Sequence, residues 1–134
     1  MALLCSMVAG AVEIEPGVSQ KLAEQRRAAV GNLCYDLKFR IPASRKEKVT
    51  GSAVIKFTYK KCGDDLQLDF QGADGQYGGV VTVNGKKRRA EWRSEHIILK
   101  ESWLKNGENA VDVAFTSGDK SLNRNDDYLY TLFV

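Results

Sequence analysis

The sequence predicts an all-β fold: a bent antiparallel β-sandwich or saddle of about seven to eight short strands, with one short N-terminal helix. Three observations carry that expectation. From Leu33 onward, apolar residues recur at every second position in several short runs. Turn-forming residues separate these runs, most clearly Asn84-Gly85. Only one stretch, near the N-terminus, has helical periodicity.

That stretch is GVSQKLAEQRRAAVGN. Ser19 is placed to cap a helix, Leu22, Ala23, Ala29 and Val30 form a weak apolar stripe, and Gly31 supplies a stop. The period then changes to two. In NLCYDLKFRI, Leu33, Tyr35, Leu37, Phe39 and Ile41 alternate with polar residues, as in a half-buried strand. Pro42 and a charged turn lead to VTGSAVIKFTYKK, where Val49, Ala53, Ile55, Phe57 and Tyr59 share a face. These two runs read as an antiparallel hairpin.

LQLDF alternates Leu66, Leu68 and Phe70 against Gln67 and Asp69. Asn84-Gly85 then joins Val81 and Val83 to a strand reaching Trp92. HIILK reads as a short buried strand, NGENAVDVAFTSG as a turn and a strand, and NRNDDYLYTLFV as a polar turn and a last strand.

Facing Leu37 with Tyr59 and Phe39 with Phe57 would bring Cys34 opposite Cys62. Directly opposed cysteines on antiparallel strands can bridge, so this register predicts a possible Cys34–Cys62 disulfide in an exported protein. The third cysteine, Cys5, lies in a leader-like start. Met1 to Val12 is uncharged, small and apolar, with Ala9-Gly10-Ala11 resembling a cleavage site. Residues 1–17 are therefore expected to be a leader remnant or tail, and residues 18–134 a single domain.

At 134 residues the chain can build one core, and its net charge of +3 falls short of what marks a nucleic-acid binder. No apolar run is long enough to span a bilayer. With a single histidine, His96, and no Cys-x-x-Cys, the chain offers no zinc site and only a weak basis for acid–base catalysis. Asp64-Asp65 and Asp126-Asp127 read as turn residues. Lys86 to Arg89, with Arg45, Lys46 and Lys48, is a candidate phosphate-binding patch, but a hairpin tip is also where solvated charge belongs. Trp92, Trp103 and Tyr77 are candidates for a sugar platform, or for core.

Taken in order, YDLKFRIP, VTGSAVIKF, VTVNGK, HIIL, LKNGENAVDVAFTSGD and SLNRNDDYLYTLFV resemble the N-terminal β-domain of aminopeptidase N-like zinc metallopeptidases of the Bacteroides type. The resemblance covers Val18 to Val134. It implies a sandwich or saddle that packs on a downstream thermolysin-like catalytic domain and helps to close the cleft over peptide substrates. It also implies a bacterial periplasmic or cell-surface location.

The zinc of that family is held by a His-Glu-x-x-His helix, and the substrate amine by a Gly-x-Met-Glu-Asn loop. Neither motif occurs here, so no catalytic residue, metal ligand or cofactor is carried over to this chain. Tyr130 matches a strand tyrosine of the family. The family's cleft-facing Gln and Glu positions fall on Leu132 and Val134, which are apolar. The resemblance implies a chain that continues past Val134 and, in isolation, an exposed docking face that favours self-association. A stand-alone β-sandwich module binding protein or glycan is the alternative.

Overall fold

The computed structural model describes residues 10–72, 76–117, 122–125 and 127–131. It opens with a helix, α1 (Gln20–Ala29), capped by the Ser19 hydroxyl, which accepts from the Leu22 N–H. Ten strands follow among the described residues: β1 (Val30–Arg40), β2 (Thr50–Tyr59), β3 (Leu66–Asp69), β4 (Val80–Val83), β5 (Lys86–Arg89), β6 (Glu91–Arg93), β7 (His96–Leu99), β8 (Gly107–Thr116), β9 (Leu122–Arg124) and β10 (Leu129–Thr131). Every strand pairing is antiparallel. The fold is thus all-β and sandwich-like, as the alternation predicts.

The strands form a five-stranded sheet in the order β1-β2-β8-β4-β5, a three-stranded sheet β3-β7-β6, and a separate ribbon β10-β9. One core cluster joins the two larger sheets. It takes Ile55, Phe57, Val81, Val83, Val111 and Val113 from the first and Leu66, Ile97 and Leu99 from the second. The strand expected to run from the Asn84-Gly85 turn to Trp92 is two strands. It leaves the larger sheet after Arg89, passes through buried Ala90, and enters the smaller sheet at Glu91.

Two turns of the same geometry connect paired strands. Asn84 and Gly85, with φ of 49° and 80°, close β4 onto β5 as expected of Asn-Gly. Ser94 and Glu95, with φ of 50° and 66°, close β6 onto β7 without any residue suited to that backbone.

Three expectations are corrected. Gly31 does not stop α1; Val30 is already extended and opens β1. The β1–β2 register is not the one that aligns the large apolar residues. Tyr35 faces Ile55, Leu37 faces Ala53 and Phe39 faces Gly51, with a bulge between Gly31 and Cys34. Gly51 makes room for that register, because a Cβ there would meet the Phe115 ring at 2.6 Å and Phe39 at 3.2 Å. These two rings meet edge to face at 5.9 Å.

The third correction concerns the start of the chain. Val12 to Gly17 are tied to the smaller sheet. The Val12 N–H donates to Asp64, Gln67 donates to the Val12 and Glu13 carbonyls, and His96 Nε2 lies 3.0 Å from both the Glu15 and the Gly17 carbonyl oxygens. Residues 1–9 lie outside the described residues.

Candidate interaction site

The smaller sheet is too narrow to cover the larger one. Its strands stand over β2, β8 and β4, while β1, at the edge, has no strand across from it among the described residues. The alternation of β1 is therefore real but its apolar face is bare. Leu33, Tyr35, Leu37 and Phe39 are each about half exposed, at 51–53%, and Ile41 is 43% exposed. Below this ridge a groove of about 690 Å³ runs in between the sheets. Ile55, Phe57 and Val111 line one wall and Leu68, Phe70 and Leu99 the other, with Leu33, Tyr35 and Leu37 at the rim.

On the far side of the smaller sheet, alternation brings Gln67, Asp69, His96 and Ile98 to one face. A polar clamp closes there. Arg26 of α1 grips both Asp69 carboxylate oxygens, at 3.0 and 2.6 Å, and also donates to the Gln67 carbonyl. His96 Nδ1 stands 2.9 Å from Asp69 Oδ1. Since Nε2 faces two carbonyl oxygens, it carries a proton and donates. Burial of Asp69 works against its charge, but Arg26, helped by His96, outweighs burial and holds the carboxyl below its ordinary value. His96 is 1% exposed and all of its contacts hold the fold together.

A second clasp fixes the loop after β2. Glu101 Oε1 accepts from the N–H groups of Cys62 and Gly63, at 2.7 and 2.9 Å, and from the Tyr59 hydroxyl at 3.3 Å. Desolvation opposes the charge of Glu101, yet these donors hold its carboxyl low. Burial, with Cys62 and Glu101 alongside, drives the Tyr59 phenol far upward. Asp65 accepts from the Glu101 N–H and from Lys100, whose ammonium it stabilises. Asp64 and Asp65 thus lie in the loop between β2 and β3, where their carboxylates accept hydrogen bonds that tie it to its neighbours.

The residues singled out in the sequence are scattered. Cys34 faces Lys56 instead of Cys62, and both thiols are free and exposed, so the bridge deduced from the other register is not formed. Tyr130 sits on β10 opposite Asn123, 57% exposed. Leu132 and Val134 lie outside the described residues. The Arg45–Lys48 loop and Lys86–Arg89 flank opposite edges of the five-stranded sheet and make no single patch. Tyr77 is buried, Trp92 donates to the Phe70 carbonyl, and Trp103 lies under Arg88 at 5.8 Å, which makes them core and rim, not a sugar platform.

Among the described residues no group of three or more His, Cys, Asp or Glu side chains could hold a metal ion, and no helix is long and apolar enough to cross a membrane. The bare ridge and the Arg26–Asp69–His96 clamp were missed in the sequence. The polar face of β3 beside a lone histidine was the available signal for the clamp.

No protein-family model matches the chain, and no curated protein sequence matches it.

Proposed function

We propose that this chain is the non-catalytic N-terminal domain of an exported zinc-dependent aminopeptidase, packing on a downstream catalytic domain and shaping the cleft that receives peptide N-termini. The zinc and its ligands belong to that downstream domain. The β9–β10 ribbon is the observation that supports this reading. A two-stranded ribbon outside both larger sheets is marginal by itself. This one presents Tyr128, Leu129 and Tyr130 at 58%, 52% and 57% exposure. Arg124 fastens it to the body by donating to the carbonyls of Pro42 and Glu47. A covering domain would bury these side chains and steady the ribbon.

The test is hydrolysis of aminoacyl p-nitroanilides with zinc present. The 134-residue chain is expected to be inactive, and the product of the natural reading frame extended past Val134 to be active and inhibited by chelation. Turnover by the short chain, or a reading frame that encodes no zinc-binding helix, overturns the proposal.

The groove under β1 favours a second reading, a stand-alone binding module. Its apolar walls suit protein side chains better than glycans. A native stop codon directly after Val134 would select this reading.

A further inference from the structure

We infer that β1 is a self-complementary docking edge, through which two copies of this chain pair antiparallel about Leu37. The inference rests on the edge strand alone and holds whichever reading of function is right.

Among the described residues β1 hydrogen-bonds only to β2, so its outer edge presents backbone donors and acceptors to a further strand. The strand is long, its ridge of Leu33, Tyr35, Leu37 and Phe39 is bare, and no bulge interrupts its pairing from Cys34 to Arg40. Edges of this kind are normally blunted by inward charge, bulges or shortness. Here the bulge before Cys34 and Pro42 after Ile41 only set the limits of the usable segment.

A two-fold axis restricts how this segment can meet itself. Antiparallel strands related by such an axis pair residues of equal parity, so both apolar ridges fall on the same face of the joined sheet. The axis must then pass through one residue. Centring on Asp36 sets Asp36 against its own copy, and centring on Lys38 does the same with Lys38. Centring on Phe39 opposes Lys38 to Arg40, and centring on Tyr35 pairs no charges at all. Only Leu37 gives opposite charges with no like pair, Asp36 of each copy facing Lys38 of the other. The same centre gives the longest overlap of the segment from Cys34 to Arg40. On the apolar face it stacks Tyr35 against Phe39 and brings the two grooves side by side under a ten-stranded sheet, twice the five-stranded one.

Sedimentation velocity on the 134-residue chain tests this. The expected result is a reversible species at twice the 14.9 kDa chain mass. Asp36→Lys opposes lysines across the axis and Lys38→Asp opposes aspartates, so each is expected to weaken dimerisation about tenfold or more. The double variant carrying both restores the pairs and should return the dimer. Both changes are on the exposed polar face of β1, so the monomer keeps its fold. The register is read by oxidation in a background with Cys5, Cys34 and Cys62 changed to Ser. Leu37→Cys is expected to give a covalent dimer and Phe39→Cys none. A chain that stays monomeric up to about 100 μM, a charge swap that fails to restore association, or cross-linking at Phe39→Cys in place of Leu37→Cys each overturns the inference.

Discussion

β1 and β2 lie side by side in one sheet and carry the same pattern, a large apolar residue at every second position. In β2 that pattern is core, with Ile55, Phe57 and Tyr59 at 3–5% exposure. In β1 it is surface, with Leu33 to Phe39 half exposed. The backbone of both is extended and their pairing is continuous from Cys34 to Arg40, so neither propensity nor hydrogen bonding distinguishes them. What differs is the layer across from each. Alternation tells which way side chains point, and burial depends on whether another sheet reaches that far.

The comparison can be broken most decisively at Phe57. Phe57→Ala is expected to cost about 3–5 kcal/mol in chemical denaturation, the range for truncating a buried aromatic. A smaller loss, near that of a surface change, would mean that the sheets are not packed where β2 meets them.

A weaker probe acts on the sheet that covers β2 and spares β1. Asp69→Asn disarms the clamp holding α1 and the N-terminal segment to that sheet, and about 1–2 kcal/mol is expected to be lost at neutral pH. The pH dependence has a definite sign. The Asp69 carboxyl lies below its ordinary 3.8 when folded, so the unfolded chain binds the extra proton. Its stabilisation is therefore complete above about pH 5 and lost as the pH falls through the folded value. Thermal melts from pH 7 to pH 3 should fall less steeply for Asp69→Asn.

The two tight turns sharpen the comparison on the stabilising side. Giving Ser94-Glu95 the residues of its twin, as Ser94→Asn with Glu95→Gly, relieves left-handed backbone at two non-glycine positions. A gain of about 1 kcal/mol is expected, seen as a raised Tm.

The smallest effect is expected at Leu37. With the chain dilute enough to be monomeric, Leu37→Ser should change unfolding free energy by no more than about 0.5 kcal/mol. A loss approaching that of Phe57→Ala would show that the ridge is covered in the monomer.

Much of the fold was legible in local pattern. The strand positions of Ile55, Phe57 and Tyr59, the fully buried His96–Leu99, the Ser19 cap and the Asn84-Gly85 turn all follow from signals within a few residues. The parts that were not legible depend on distant partners. The β1–β2 register is set by a gap at Gly51 for Phe39 and Phe115, and Phe115 comes from a strand far along the chain. Matching large residues pairwise could not find it, and the disulfide deduced from that match failed with it. Ser94-Glu95 turns sharply because β6 and β7 pair on either side, not because its residues prefer to. Residues 12–17 fall within the stretch expected to be a leader remnant or tail, and only the carbonyls they offer to Gln67 and His96 reveal them as part of the fold.

The passage of one extended run through Ala90, from β5 into β6, has a consequence for how the molecule comes apart. Ala90 is 4% exposed, its N–H donates to the Gly79 carbonyl, and its own carbonyl accepts from Tyr77. A strand that is thread to both sheets leaves neither free to open by itself. Detaching the smaller sheet pulls β5 from the larger one, and fraying β5 drags Glu91 and Trp92 away from β7. The amide protons of Arg88 and Trp92, though they belong to different sheets, should then exchange with solvent in a single shared event.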